Sequence, residues 1–169
     1  NFEAFTQAAS SEKWLEVHGI EHWTHFYTNY GLNLQKKFMA HFLKGEDSGW
    51  SLMPKVLLQV RHPGEHFVER HETQWPLART QWTKHYLHFN DLSLSEQAQD
   101  EESMVSYSGF GDGVTLMTPP LTASTEITGP IAAKLWVASS TKDADLFLIV
   151  RAFDPNMKEV VFQGALDPH

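Results

Sequence analysis

The chain contains no cysteine. That absence excludes a disulfide scaffold, a Cys-ligated zinc site and a thiol nucleophile together, while leaving the cellular compartment open. Long hydrophobic runs are missing too. The longest, Leu146 to Val150, is the size of a strand, whereas a membrane-spanning helix takes about 20 apolar residues, so no membrane partner is expected. Positive charge is scarce: 13 Lys and Arg stand against 21 Asp and Glu, a net charge of −8. A basic surface able to hold a phosphate backbone is therefore not expected, and neither is a nucleic-acid partner. Nor is the chain of disordered type, because 41% of its 169 residues are hydrophobic and 12% aromatic, with six Trp and eleven Phe, enough to bury a core. The sequence starts at Asn1 with no charged and apolar leader and stops at Asp167-Pro-His169 after a strand-like run; both ends read as those of an internal fragment.

The pattern of apolar residues changes near residue 50. Before it they recur at helical spacing. Phe2, Phe5 and Ala9 predict a short helix over 2–9, ended by Ser10-Ser11. Lys13 to Val17 reads as a short buried strand. From Asn33, Leu34, Phe38 and Phe42 fall four apart with Leu43 beside them, and Lys44-Gly45 supplies a cation for the helix dipole and a left-handed cap. Helix, strand, turn and helix in that order form an α/β unit, whose strand is expected to run parallel to others upstream.

After Gly49 the runs Val56–Arg61, His66–His71, Trp82–Phe89, Met104–Tyr107, Val114–Met117, Ala132–Ala138, Leu146–Phe153 and Val160–Phe162 are strand candidates. They are separated by Pro, Gly, Asn and Asp. Short, evenly punctuated strands predict a β-sandwich or jelly roll. The expected fold class is thus α/β followed by all-β, with a boundary at residue 50: residues 1–50 as one part and residues 51–169 as the other.

The densest chemistry is His18-Gly-Ile-Glu-His22-Trp-Thr-His25, directly after the predicted strand. In α/β folds the loop leaving the carboxyl end of a strand is where ligands and catalytic groups collect. Three histidines in eight residues suggest a metal, but the spacing is not the i, i+4 pair of a helical zinc site and Gly19 disfavours a helix, so no metal is expected. A general base is the better chemical reading: one neutral imidazole takes a proton from a hydroxyl and passes it to a leaving group, and the other two are structural.

Lys13-Trp-Leu-Glu-Val-His-Gly-Ile-Glu-His22-Trp, Phe26-Tyr-Thr and Leu34 to Asp47 resemble the last strand, histidine loop and final helix of serine hydrolases of the cocaine esterase (CocE/NonD) and X-Pro dipeptidyl-peptidase family. Trp75 to Thr83, Thr118-Pro-Pro-Leu121, Glu126 to Pro130 and Asp143 to Pro155 are similar to that family's C-terminal jelly-roll domain. The resemblance implies that residues 1–50 end an α/β-hydrolase domain and that 51–169 are a truncated jelly roll. It implies that His22 is the catalytic histidine, that Trp23 walls the acyl pocket, and that the substrate is a small-molecule ester or an X-Pro peptide. It further implies that no cofactor is required and that the sandwich covers the site or supports a homodimer. The Gly-x-Ser-x-Gly elbow is absent; its nearest look-alike, Ser108-Gly-Phe-Gly-Asp-Gly113, has no Ser between its glycines. Nucleophile and triad acid are therefore expected upstream, leaving this stretch inactive alone.

A rival reading makes the chain a carbohydrate-binding β-sandwich with a helical leader, its platform drawn from Trp75, Trp82, Tyr86 and Phe89. His62, His66 and His71 read as a solvated hairpin, Asp100-Glu-Glu102 as a solvated loop, and Asp143 with Asp145 as too few oxygens for calcium.

Overall fold

A computed structural model describes residues 1–19, 23–64 and 66–161. The chain divides into two compact units, Asn1–Ala78 with Gly129–His169, and Arg79–Thr128.

In the first unit the order is α1 (Phe2–Gln7), β1 (Leu15–Val17), α2 (Thr24–Tyr27), α3 (Asn29–Lys44), a 3-10 turn (Trp50–Leu52), β2 (Val56–His62) and β3 (His66–Glu72). The strands form one sheet in the order β1-β2-β3. β1 runs parallel to β2, pairing Leu15 with Val56 and Val17 with Leu58; β2 and β3 are antiparallel from Val56–Glu72 to His62–His66. The parallel partner found for β1 thus lies downstream, where upstream partners were expected. The helices between β1 and β2 are the reason: parallel neighbours require a crossover, and α2–α3 provides it.

Strand alternation sorts the sheet's two faces. Leu15, Val56 and Leu58 are buried with Leu77, and Phe5, Val17, Val60 and Trp75 close around them. Burying one such aliphatic side chain fully is worth about 1.5–3 kcal/mol, so this small cluster is what holds α1 and the Trp75–Leu77 segment to the sheet. The residues between them, Trp14, Glu16, Leu57 and Gln59, belong to the opposite face. There Trp14 packs edge-on against Phe42 of α3 (5.8 Å) and against Trp50 (5.3 Å), with Phe38 5.0 Å from Trp50.

The predicted helices form with altered limits. α1 stops at Gln7, two residues short of the expected end, because Ala8 turns extended and the Lys13 ammonium donates to its carbonyl at 2.7 Å. α3 starts four residues earlier than the apolar spacing shows. Thr28 caps it, its hydroxyl accepting from the Gly31 N–H at 3.4 Å. Its end is as expected: Gly45 is left-handed at φ 68°, donating to the His41 carbonyl while Glu46 donates to that of Ala40.

In the second unit β4 (Tyr86–His88) and β5 (Ser93–Ser95) form an antiparallel pair, and Ser93 bridges to Met117. The strand expected over Trp82–Phe89 shrinks to three residues, and β5 was not anticipated. Residues 104–107, 132–138 and 146–153 form no ladder apart from a bridge between Phe153 and Glu159. Alternation marks a residue run as able to pair; pairing itself needs a second strand in register, which no local pattern encodes. What the described residues show is a mixed helix-and-strand fold with one three-stranded and one two-stranded sheet. Of the expected strand 160–162, Phe162 lies outside them. Among the described residues no helix is long and apolar enough to cross a membrane.

Candidate functional site at the end of the first strand

β1 ends at Val17, and the chain leaves the sheet through His18 and Gly19. The exit is tight: a Cβ on Gly19 would stand 2.0 Å from the Phe67 ring. The Gly19 N–H donates to the Gln59 side-chain oxygen of β2 at 3.1 Å, tying the exit to the neighbouring strand.

Glu16 points from the same face. Its carboxylate accepts from His18 Nδ1–H at 3.0 Å and from the Tyr30 hydroxyl, in the first turn of α3, at 3.1 Å. A carboxylate only accepts, so the contact sets the proton on Nδ1 and leaves Nε2 of His18 as the basic nitrogen while the ring is neutral. The His25 ring stacks on His18 with centroids 4.6 Å apart and an interplanar angle of 15°, and meets Tyr30 at 4.7 Å. Gly31 makes the α2–α3 junction possible. A Cβ there would approach the His25 carbonyl oxygen to 2.3 Å, so only glycine lets the two helices meet.

Electrostatics follow from this packing. Burial pushes the Tyr30 phenol well above its ordinary pKa, and the Glu16 charge beside it adds to the shift. Burial likewise lowers the pKa of His25; the His18 ring pushes the same way, and Glu16 opposes both. His25 Nε2 is buried and has no hydrogen-bond partner. His25 thus packs as a plate against His18, in surroundings that favour its neutral form.

His22 lies outside the described residues. Trp23, just before α2, is 57% exposed. Of the three loop histidines, His18 and His25 are brought together. The sequence reasoning missed Glu16, Tyr30 and Gln59. One signal was available for the first: a carboxylate between Leu15 and Val17 in a strand that buries Leu15 needs a partner.

Other candidates resolve simply. His62 and His66 face each other across the β2–β3 hairpin, with rings 5.8 Å apart, as a hairpin reading requires. Among the described residues no group of three or more His, Asp and Glu could hold a metal ion. Trp75 stacks on Phe2 at 4.5 Å and packs against the core, which removes it from the imagined sugar platform, whereas Trp82 is exposed. A groove of about 400 Å³ beside Trp14, Phe42, Trp50 and Lys55 is lined by none of the described residues between 18 and 30.

Residues 48–169 match the family model of the X-Pro dipeptidyl-peptidase C-terminal non-catalytic domain. The chain belongs to this family. Within an X-Pro dipeptidyl-peptidase C-terminal family chain, the histidine loop of residues 18–25 therefore precedes the matched domain. Two solved structures of a CocE/NonD family hydrolase from Staphylococcus aureus are similar to this family member at 35% identity, with TM-scores of 0.53 and 0.54; each match covers 57% of this chain. The match takes up only 17% of the hydrolase chain. No curated protein sequence matches significantly.

Proposed function

We propose that this chain is part of a serine hydrolase that cleaves an ester or amide, of the X-Pro dipeptidyl-peptidase or acyl esterase type, and that His22 is its proton shuttle. The observation that carries the reading is a histidine-rich loop at the carboxyl end of a parallel strand, followed by a crossover helix, in a chain whose solved relatives are hydrolases. The sequence has no Gly-x-Ser-x-Gly, so the nucleophile and the triad acid are assigned to residues outside it.

In this reading His22 takes the proton of the serine hydroxyl as its oxygen attacks the carbonyl carbon. The proton then passes to the leaving alkoxide or amine, and His22 next activates water to release the acyl group. No cofactor takes part. Trp23, exposed beside the loop, lines the acyl side. Residues 51–169 supply strands to a jelly roll that covers the site or joins two copies.

The test is His22→Gln in the complete enzyme, assayed on an X-Pro anilide and on a nitrophenyl ester. Loss of a triad histidine costs on the order of 10,000-fold or more in kcat. The preferred substrate tells peptidase from esterase. Turnover equal to the parent's, with an unchanged melting temperature, removes the assignment.

A further inference from the structure

α2 rests on the end of β1 through the His25 ring, stacked on His18. None of its four residues is buried, and Phe26 and Tyr27 stand 51% and 68% exposed. Its ties to α3 run through the backbone: the Thr28 hydroxyl donates to the His25 carbonyl at 2.8 Å and the Gln35 amide to that of Phe26 at 2.9 Å. The two stacked imidazoles face one carboxylate. Glu16 of β1 accepts from His18 Nδ1–H at 3.0 Å and is shared with the Tyr30 hydroxyl of α3 at 3.1 Å. β2 brings the uncharged Gln59 to the same junction, and β3 brings Glu69 beside Tyr30, with His71 on that carboxylate at 3.0 Å. His25 Nε2 has no hydrogen-bond partner.

We propose that the His18–His25 stack is an acid-released latch: with at most one ring charged it holds α2 and the α2–α3 junction against β1, and with both charged it lets them go while the sheet stays paired. A protonated His18 keeps its hydrogen bond to Glu16, so one positive charge in the stack is accommodated. A second is not. Centroids 4.6 Å apart bring two imidazolium charges within the range of about 4–6 Å at which like charges disfavour each other, and burial acts against charge on His25 as well. Parting the rings relieves the repulsion locally, because α2 buries nothing of its own, whereas β2 and β3 are paired from Val56–Glu72 to His62–His66 over the buried Val56 and Leu58. Histidine is the side chain that ordinarily changes charge in mild acid, so release is expected as pH falls toward about 5. The latch does not depend on which histidine transfers protons in the proposed hydrolase.

The test is amide hydrogen exchange of the full chain at pH 7.5 and pH 5, read by mass spectrometry and corrected for the intrinsic pH dependence of exchange. Peptides covering 24–32 hold the Thr28 and Leu32 N–H groups, bonded to the His25 and Thr28 carbonyls. Their corrected exchange is expected to be at least tenfold faster at pH 5, with peptides covering 56–72 changed less than twofold. His25→Phe keeps a ring to stack and cannot take a charge, so its 24–32 peptides are expected to exchange alike at both pH values. His18→Phe removes the other charge with the same expected result, and it decides if His25→Phe fails to fold. Three outcomes overturn the proposal: less than twofold acceleration of 24–32 in the parent, an equal acceleration of 56–72, which marks global unfolding, or a parent-like acceleration in the deciding variant, which assigns the response to another group.

Discussion

His25 is a histidine used as an apolar plate. Its ring is stacked on His18, its Nε2 is buried without a hydrogen-bond partner, and burial lowers its pKa below the ordinary value of about 6.5. The sign of the resulting pH dependence is fixed by linkage. In the unfolded chain the imidazole protonates near its ordinary pKa, while in the folded chain it stays neutral to lower pH, so between the two values the unfolded state binds more protons. The stabilisation is complete above about 6.5 and is lost as pH falls from there toward the folded pKa. Urea midpoints of this chain are expected to drop between pH 7 and pH 5, and His25→Phe, which keeps the ring stack, is expected to flatten that drop. Parallel pH profiles for the two proteins would show that His25 is not the group responsible. This contact was illegible in the sequence for a plain reason. The three histidines were visible as a cluster, but which two share a stack depends on contacts with Tyr30 and Gly31 that no spacing reports.

At the scale of elements, α3 was the most legible. Its apolar positions recur every four residues, and Lys44-Gly45 announced its end. Its first turn was hidden, because Gly31 there serves a close approach to the His25 carbonyl that no periodicity reports. Both ends can be tested. Thr28→Ala removes the hydroxyl that accepts from Gly31 N–H, at an expected cost of about 1 kcal/mol. At Gly45 a methyl group would meet nothing within 4 Å, yet φ is +68°, so Gly45→Ala is also expected to cost about 1 kcal/mol, from backbone strain alone. Denaturation curves of each variant check these values; a neutral Gly45→Ala would mean that the cap is not held left-handed in solution. The sheet was legible in a different measure. β2 and β3 were expected nearly residue for residue, because Pro63-Gly64 joins two β-rich runs as a local hairpin. The parallel pairing of β1 with β2 spans some forty residues and is set by the intervening helices, so it left no mark on either strand alone.

At the scale of the whole molecule, most apolar side chains among the described residues beyond Gly129 remain in solvent. Trp136 is 85% exposed and Phe147 86%, and Leu148, Ile149 and Val150 beside Phe147 are exposed with it. Apolar runs of strand length left uncovered are what a sandwich would bury and what a neighbouring chain can pair with. Expressed by itself, the 169-residue chain is therefore expected to bind a hydrophobic dye such as ANS strongly and to self-associate as its concentration rises through the micromolar range. Placing charge in the run, with Phe147→Lys and Ile149→Lys together, is expected to lower both signals. In a longer protein that supplies the remaining strands the same positions are expected to be covered, so that protein should bind little dye and the double substitution should destabilise it. Sedimentation and dye titration distinguish the cases. A monomeric isolated chain that is silent to the dye would mean that these residues are already packed in solution, and the sandwich reading would then need no strands from elsewhere.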